Sequence, residues 1–145
     1  MSLKIYIDTN VFLNSILNRD NGISNEILSF LESKDVDIIL NNISIINIHY
    51  FASKDKTLTK NMVKEYINSF LEEYIICSAD TKILQTALNS NFDDFEDGVQ
   101  YFCARDIGAD LIITNDKKGF LNSEIDVITS KDFYYEYVNN WVKVL

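Results

Sequence analysis

Short apolar runs alternate with amphipathic stretches along the whole chain. "LKIYI" (3–7) reads as a first strand, and Asn10 to Asn18 as a helix with Val11, Phe12, Ile16 and Leu17 on one side. Ser24 is placed to cap a second helix through "NEILSFLESK", with Ile27, Leu28 and Leu31 inward. "VDIIL" (36–40) is a β-branched second strand, and Asn42 begins a third helix, "ISIINIHYF". The polar stretch "SKDKTLT" reads as a loop. A fourth helix then runs to about Glu73, with Met62, Tyr66, Ile67 and Phe70 at helical spacing. "YIIC" (74–77) is a third strand and Asp80 to Asn89 a short helix. Asn91 or Asp93 is placed to cap a helix carrying Phe95, Val99, Phe102 and Cys103, which Gly108 ends in a left-handed cap. "ADLIIT" and "DVIT" are the fourth and fifth strands, and Ser130 is placed to cap a last helix, "KDFYYEYVNNW". This alternation predicts an α/β fold: one domain over residues 1–145, three layers α/β/α, around a mostly parallel sheet of about five strands.

The first strand runs straight into Asp8, and a charge at a buried strand tip is costly without a partner. In a parallel sheet all strands end at one rim. Asp8 follows the first strand and Asp116 the fourth, while Asp93, Asp94, Glu96 and Asp97 stand in the first turns of the helix that leads into that fourth strand. All therefore reach the rim where open α/β sheets bind ligands. Each has an ordinary account as well: Asp8 as a helix cap, the 93–97 acids as complements to a helix dipole, Asp116 as a turn residue. Taken together, acids from separate parts of the chain meeting at one edge suit a hard divalent cation, Mg²⁺ or Mn²⁺, and phosphodiester chemistry.

Composition adjusts this picture in two ways. Thirteen Lys and Arg against 22 Asp and Glu give a net charge of -9, which is unusual for a nucleic-acid binder unless local cations or metal ions dominate one site. Cys77 and Cys103 form no disulfide or zinc pattern, and no apolar run approaches membrane-span length. With no signal-peptide pattern at the start, a soluble cytoplasmic protein is expected.

"YIDTNVFLN", "FEDGVQYFCARDIGADLIITNDKKGF" and "VITSKDF" resemble the signatures of the PIN-domain family of metal-dependent nucleases, in order and spacing. The resemblance implies a five-stranded parallel sheet and a Mg²⁺- or Mn²⁺-dependent ribonuclease. At this length it implies the toxin of a bacterial toxin–antitoxin pair (VapC-like), with RNA as substrate, a small antitoxin protein as partner, and a homodimer. Asp8, Asp97 and Asp116 match the family's metal-binding acids, and Asp94 and Glu96 are auxiliary candidates. The family commonly carries a Glu on the helix after the second strand. Asn47 stands near that position here and is a third auxiliary candidate, whose amide oxygen could ligate a metal directly or through water but without charge, so one negative charge is missing.

Other features are less specific. Lys56, Lys60 and Lys64 at spacings of four could track a phosphate backbone or form a solvated helix face; Lys117 and Lys118 follow Asp116 directly. His49, the single histidine, fits packing or catalysis. The stripe Tyr134, Tyr137 and Trp141 fits packing, base stacking or a partner. "VFLNSIL" has more apolar residues than one core face needs, which offers a dimer contact. Two alternatives stay open. One is a phosphatase of the haloacid dehalogenase type with Asp8 as nucleophile, although Asn10 stands where that family has a second Asp. The other is a catalytically weak module that binds RNA or a partner.

Overall fold

The strands of the computed structural model, which describes residues 2–139, are β1 (Leu3–Ile7), β2 (Val36–Asn41), β3 (Ile75–Cys77), β4 (Leu111–Thr114) and β5 (Asp126–Thr129). They form one sheet in the order β3-β2-β1-β4-β5. All four pairings are parallel, with Ile5 opposite Ile38 on one side of β1 and Ile7 opposite Ile113 on the other.

The period of two in the central strands divides the core. Ile5, Ile7, Ile38, Leu40 and Ile113 face α1 (Thr9–Leu17), α2 (Ile23–Glu32), α3 (Asn42–Ser53), α4 (Lys60–Glu73) and α7 (Ser130–Phe133). Tyr6, Ile39 and Ile112 face α5 (Thr81–Leu88) and α6 (Phe95–Asp106). Both strand faces are covered, as the continuous apolar runs require. The connections β1–β2 and β2–β3 build the sheet in one direction, and β4 is added on the far side of β1. The strand order therefore reverses between β1 and β4, and their carboxyl ends flank the crevice where such sheets bind ligands.

Four helix ends depart from expectation. Ser24 does not cap α2; its N–H and hydroxyl both donate to Asp20, and Gly22 occupies the cap in a left-handed conformation. Asp94, rather than Asn91 or Asp93, caps α6 by accepting from the Asp97 N–H at 3.0 Å. Thr129 caps α7 through the Asp132 N–H, and Ser130 is buried as the helix's first residue. Tyr74 ends α4 instead of opening β3. For α6 and α7 the reason is local: Asp94 and Thr129 are the short polar residues with the extended backbone that a cap needs. Gly108 behaves as expected: at φ 74° it closes α6, with Ala109 N–H donating to the Ala104 carbonyl and Gly108 N–H to that of Arg105.

The inward stripe of α4 is rotated from the expected one. Val63 and Phe70 are buried while Met62 and Tyr66 are exposed. Phe70 stacks on Tyr74 and both meet Phe12, and this three-ring cluster sets the rotation. The apolar excess of α1 is consumed within the monomer: Val11, Phe12, Leu13 and Ile16 are all buried, which removes the expected dimer surface there. The last expected helix is α7 followed by a π-helical turn, Tyr134–Val138. Tyr137 is exposed with its ring against Phe133, and Trp141 lies outside the described residues.

The cap of α4 gives a local test of these assignments. Thr59 Oγ1 accepts from the Met62 N–H at 3.1 Å on the surface. Thr59→Ala is expected to cost about 1 kcal/mol, measured by urea unfolding.

Candidate active site

Asp8 stands at the tip of β1, its N–H extending the ladder to the Ile113 carbonyl at 2.9 Å. It is 5% exposed, and both carboxylate oxygens are held. Oδ1 accepts from Gln100 Nε2 at 3.0 Å and, more weakly, from the Asn10 N–H at 3.4 Å; Oδ2 accepts from Thr114 Oγ1 at 2.7 Å. Asp8 is thus the cap of α1 and also a fixed carboxylate at the crevice. The cap explains one weak bond and leaves the two stronger ones to other elements.

Thr114 ties this acid to the next. Its hydroxyl also accepts the Asp116 N–H at 3.1 Å, so one side chain at the end of β4 braces Asp8 and the turn carrying Asp116. Asp116 Oδ1 in turn accepts from the Lys118 N–H at 3.1 Å and opens the 3-10 turn Lys117–Phe120.

Asp97 arrives from the opposite layer, in the first turn of α6, and leans on that 3-10 turn. A Cβ added at Gly119 would collide with Asp97 Oδ2. Only the absent side chain permits this approach.

The acids act on one another electrostatically. The Asp97 carboxyl is pushed up to about 7, first by burial and then by Asp8, Asp94, Glu96 and Asp116. Glu96 is also raised, by burial, Asp8 and Asp94, while the Asn47 amide facing it pulls in the opposite direction. Asn47 on α3 therefore lies beside the acids, against Glu96. Asp93 is exposed and takes no part in these interactions.

Five carboxylates with uncompensated repulsion form a hard, all-oxygen donor set, and this chemistry fits a divalent cation of the Mg²⁺ type. Among the described residues no three of them already stand as a closed metal-holding group. The fit lies in the donor chemistry and the repulsion rather than in a finished cage.

The cations expected near the site divide. Lys117 and Lys118 are exposed on the turn beside Asp116 and form no ion pair with the acids. Lys56 lies in the turn before α4, so only Lys60 and Lys64 share that helix; all three are exposed and none pairs with the acid cluster. His49 is exposed, not packed, and lines a shallow cleft with Thr59 and Lys60.

Gln100, Thr114 and Gly119 were not singled out as site residues in the sequence. Thr114 had a signal, as the first member of Thr-x-Asp. Gln100 had a faint one, a polar residue among the apolar positions of α6.

The model of the PIN domain matches residues 4–118. The chain belongs to the PIN-domain family. Ribonuclease VapC1 of Aquifex aeolicus (strain VF5) is 29% identical over 137 residues, covering 91% of this chain and 94% of that protein. This PIN domain also resembles VapBC2 of Rickettsia felis bound to a promoter DNA fragment, with a TM-score of 0.62 and 20% identity, over 88% of this chain and 98% of that one. A toxin–antitoxin complex of Klebsiella pneumoniae gives a TM-score of 0.64 at 17% identity, over 87% and 97% of the two chains. At such identities the solved structures show the shared fold. Among the described residues, no helix of this PIN domain is long and apolar enough to cross a membrane.

Proposed function

We propose that this PIN domain is a Mg²⁺- or Mn²⁺-dependent endoribonuclease and the toxin of a toxin–antitoxin pair. The observation that carries the reading is the convergence on Asp97 of four other carboxylates at the β1–β4 crevice. Its likeness to a ribonuclease named VapC1, and in fold to toxin–antitoxin complexes, supports the same reading. Family membership displaces the phosphatase alternative.

Asp8, Asp97 and Asp116 would hold the ion, with Asp94 and Glu96 as auxiliary acids. When bound, a divalent ion supplies Lewis-acid chemistry, offsetting charge that builds on the phosphodiester and making water a better nucleophile. The chain's own residues do the rest. Gln100 and Thr114 fix the direction of the Asp8 carboxylate. Lys117 and Lys118, exposed on the turn beside Asp116, would contact RNA phosphates flanking the scissile bond and so let a protein of net charge -9 hold RNA locally. Water adds to phosphorus, the bond from phosphorus to one ribose oxygen breaks, and that oxygen leaves with a proton. The deciding measurement is cleavage of single-stranded RNA with Mg²⁺ or Mn²⁺, against chelator and against Asp8→Asn. Cleavage that persists in chelator, or is absent with either ion, overturns the reading. RNA binding without cleavage would favour the catalytically weak module.

Asn47 sets the expected metal count. Two divalent ions carry four positive charges, and Asp8, Asp97 and Asp116 offset three. One ion is therefore expected to bind tightly without RNA, and a second only when phosphate adds charge. Asn47→Glu places a carboxylate beside Glu96 and is expected to tighten the second ion about tenfold, the order of one added charge at a partly screened site. Calorimetric titration of both proteins checks this. Two tight ions in the native protein would mean that Glu96 or Asp94 already supplies the fourth charge.

A further inference from the structure

We propose that Gln100 is a positioning residue of this nuclease, aiming the Asp8 carboxylate by tying it to a buried polar network that reaches β2 and the start of α3. The proposal rests on the reading of the site given above.

Gln100 is 1% exposed in the layer between α6 and the sheet. Its orientation is dictated by its neighbours. The Thr9 backbone N–H can only donate, and it lies 3.2 Å from Oε1. The other end of the amide, Nε2, therefore faces Asp8 Oδ1 at 3.0 Å, and an ionised carboxylate can only accept. Reversing the amide would set donor against donor and acceptor against acceptor.

The oxygen end collects further donors. Thr9 Oγ1 lies 3.3 Å away and the Tyr6 hydroxyl 3.4 Å. Behind them, Ser44 Oγ meets Thr9 Oγ1 at 2.7 Å, and Asn41 Nδ2 donates to the Tyr6 hydroxyl at 2.9 Å. Asn41 Oδ1 closes the set by accepting the Ser44 N–H at 2.7 Å, which caps α3. Every member is buried. Donation onto Oε1 polarises the amide, so its NH₂ becomes a better donor to Asp8. No purely apolar packing role needs this arrangement, and a leucine would fill the same volume. With Thr114 on Oδ2, the clamp leaves the remaining lone pairs of Asp8 in one fixed direction.

The test compares wild type, Gln100→Leu and Gln100→Asn. The asparagine keeps an amide in the network but is one methylene too short for Asp8. Mn²⁺ binding without RNA is measured by calorimetry, and cleavage of single-stranded RNA by steady-state kinetics. Both variants are expected to lose about 10- to 100-fold in Mn²⁺ affinity, the usual scale for residues that orient a metal ligand. kcat should fall by a similar factor while KM for RNA stays within about twofold. Asp8→Asn should show no further loss when combined with either variant. A lower melting temperature with unchanged Mn²⁺ affinity and kcat in the folded fraction marks a merely structural glutamine and overturns the proposal. If Gln100→Leu fails to fold, the asparagine variant decides, and failure of both to fold also overturns it. Wild type that binds Mn²⁺ but cleaves nothing sinks the nuclease reading alone, because lost affinity in the variants still supports the hold on Asp8. Wild type that binds no Mn²⁺ sinks both.

Discussion

Asp97→Asn is expected to lower RNA cleavage by at least about 10²-fold, the scale of removing one charged group from a preorganised site, yet to raise the melting temperature of the metal-free protein at pH 8. The two effects share a cause. Asp97 ordinarily titrates near 3.8, and burial with four neighbouring carboxylates moves it to about 7 in the fold. Between those values the folded protein holds a proton that the unfolded chain has released. Stability therefore falls as pH rises from about 4 to 7, and the penalty is complete above 7. Asparagine cannot ionise, so the variant lacks this slope. The gain should be negligible near pH 4 and reach about 1–2 kcal/mol at pH 8, after discounting for a half-exposed group. Mn²⁺ should reverse the order, because an ion that binds only the folded state stabilises wild type more than the variant. Thermal melts at pH 4, 6 and 8, with and without Mn²⁺, read all of this. A variant less stable than wild type at pH 8 without metal would mean that Asp97 serves the helix dipole of α6 instead.

Gly119→Ala is expected to cost about 10²-fold in kcat with the fold intact. An added Cβ would stand 3.1 Å from Asp97 Cγ and closer still to Oδ2. The backbone at Gly119 is not in the left-handed region, so alanine is acceptable to the chain itself. The carboxylate must then swing off the turn that carries Asp116. Misplacement of a reacting group by about 1 Å commonly costs 10²-fold. Reduced chain entropy of the unfolded state would offset part of any strain, leaving the urea midpoint nearly unchanged. Kinetics and urea unfolding on the same sample test this. Full activity in a folded Gly119→Ala would show that the approach of Asp97 to the turn is dispensable, and the proposed site would lose one of its acids.

The two variants strike different kinds of residue, and they separate what was legible in the chain from what was not. The sheet was legible because its information is local. β-branched runs at "VDIIL" and "LIIT" specify strands, and parallel strands must end at one rim. Asp8 and Asp116 follow from that rule, since a residue just past a strand has nowhere else to go. Asp97 follows less directly, from its place in the first turn of the helix that leads into β4. The fine placement of helix ends was not legible. Asn91, Asp93 and Asp94 are chemically interchangeable as caps, and the backbone of Asp94 won because the preceding turn delivered it in an extended conformation.

What the tertiary structure alone decided are the contacts between distant segments. Gln100 and Asp8 are 92 residues apart, and a glutamine on a helix gives no local sign that it will be buried against a strand tip. The opposition of Asn47 to Glu96 joins α3 to α6 and depends on how the two layers close over β1. The apolar excess of α1, which along the chain looks like an exposed dimer face, is covered because α2, α3 and β4 all pack on that one helix. Periodicity tells which side of a helix is apolar, but not how many neighbours will cover it. Gly119 shows the same limit: a flexible residue in a turn and a gap for a carboxylate look alike until the second segment arrives to fill it.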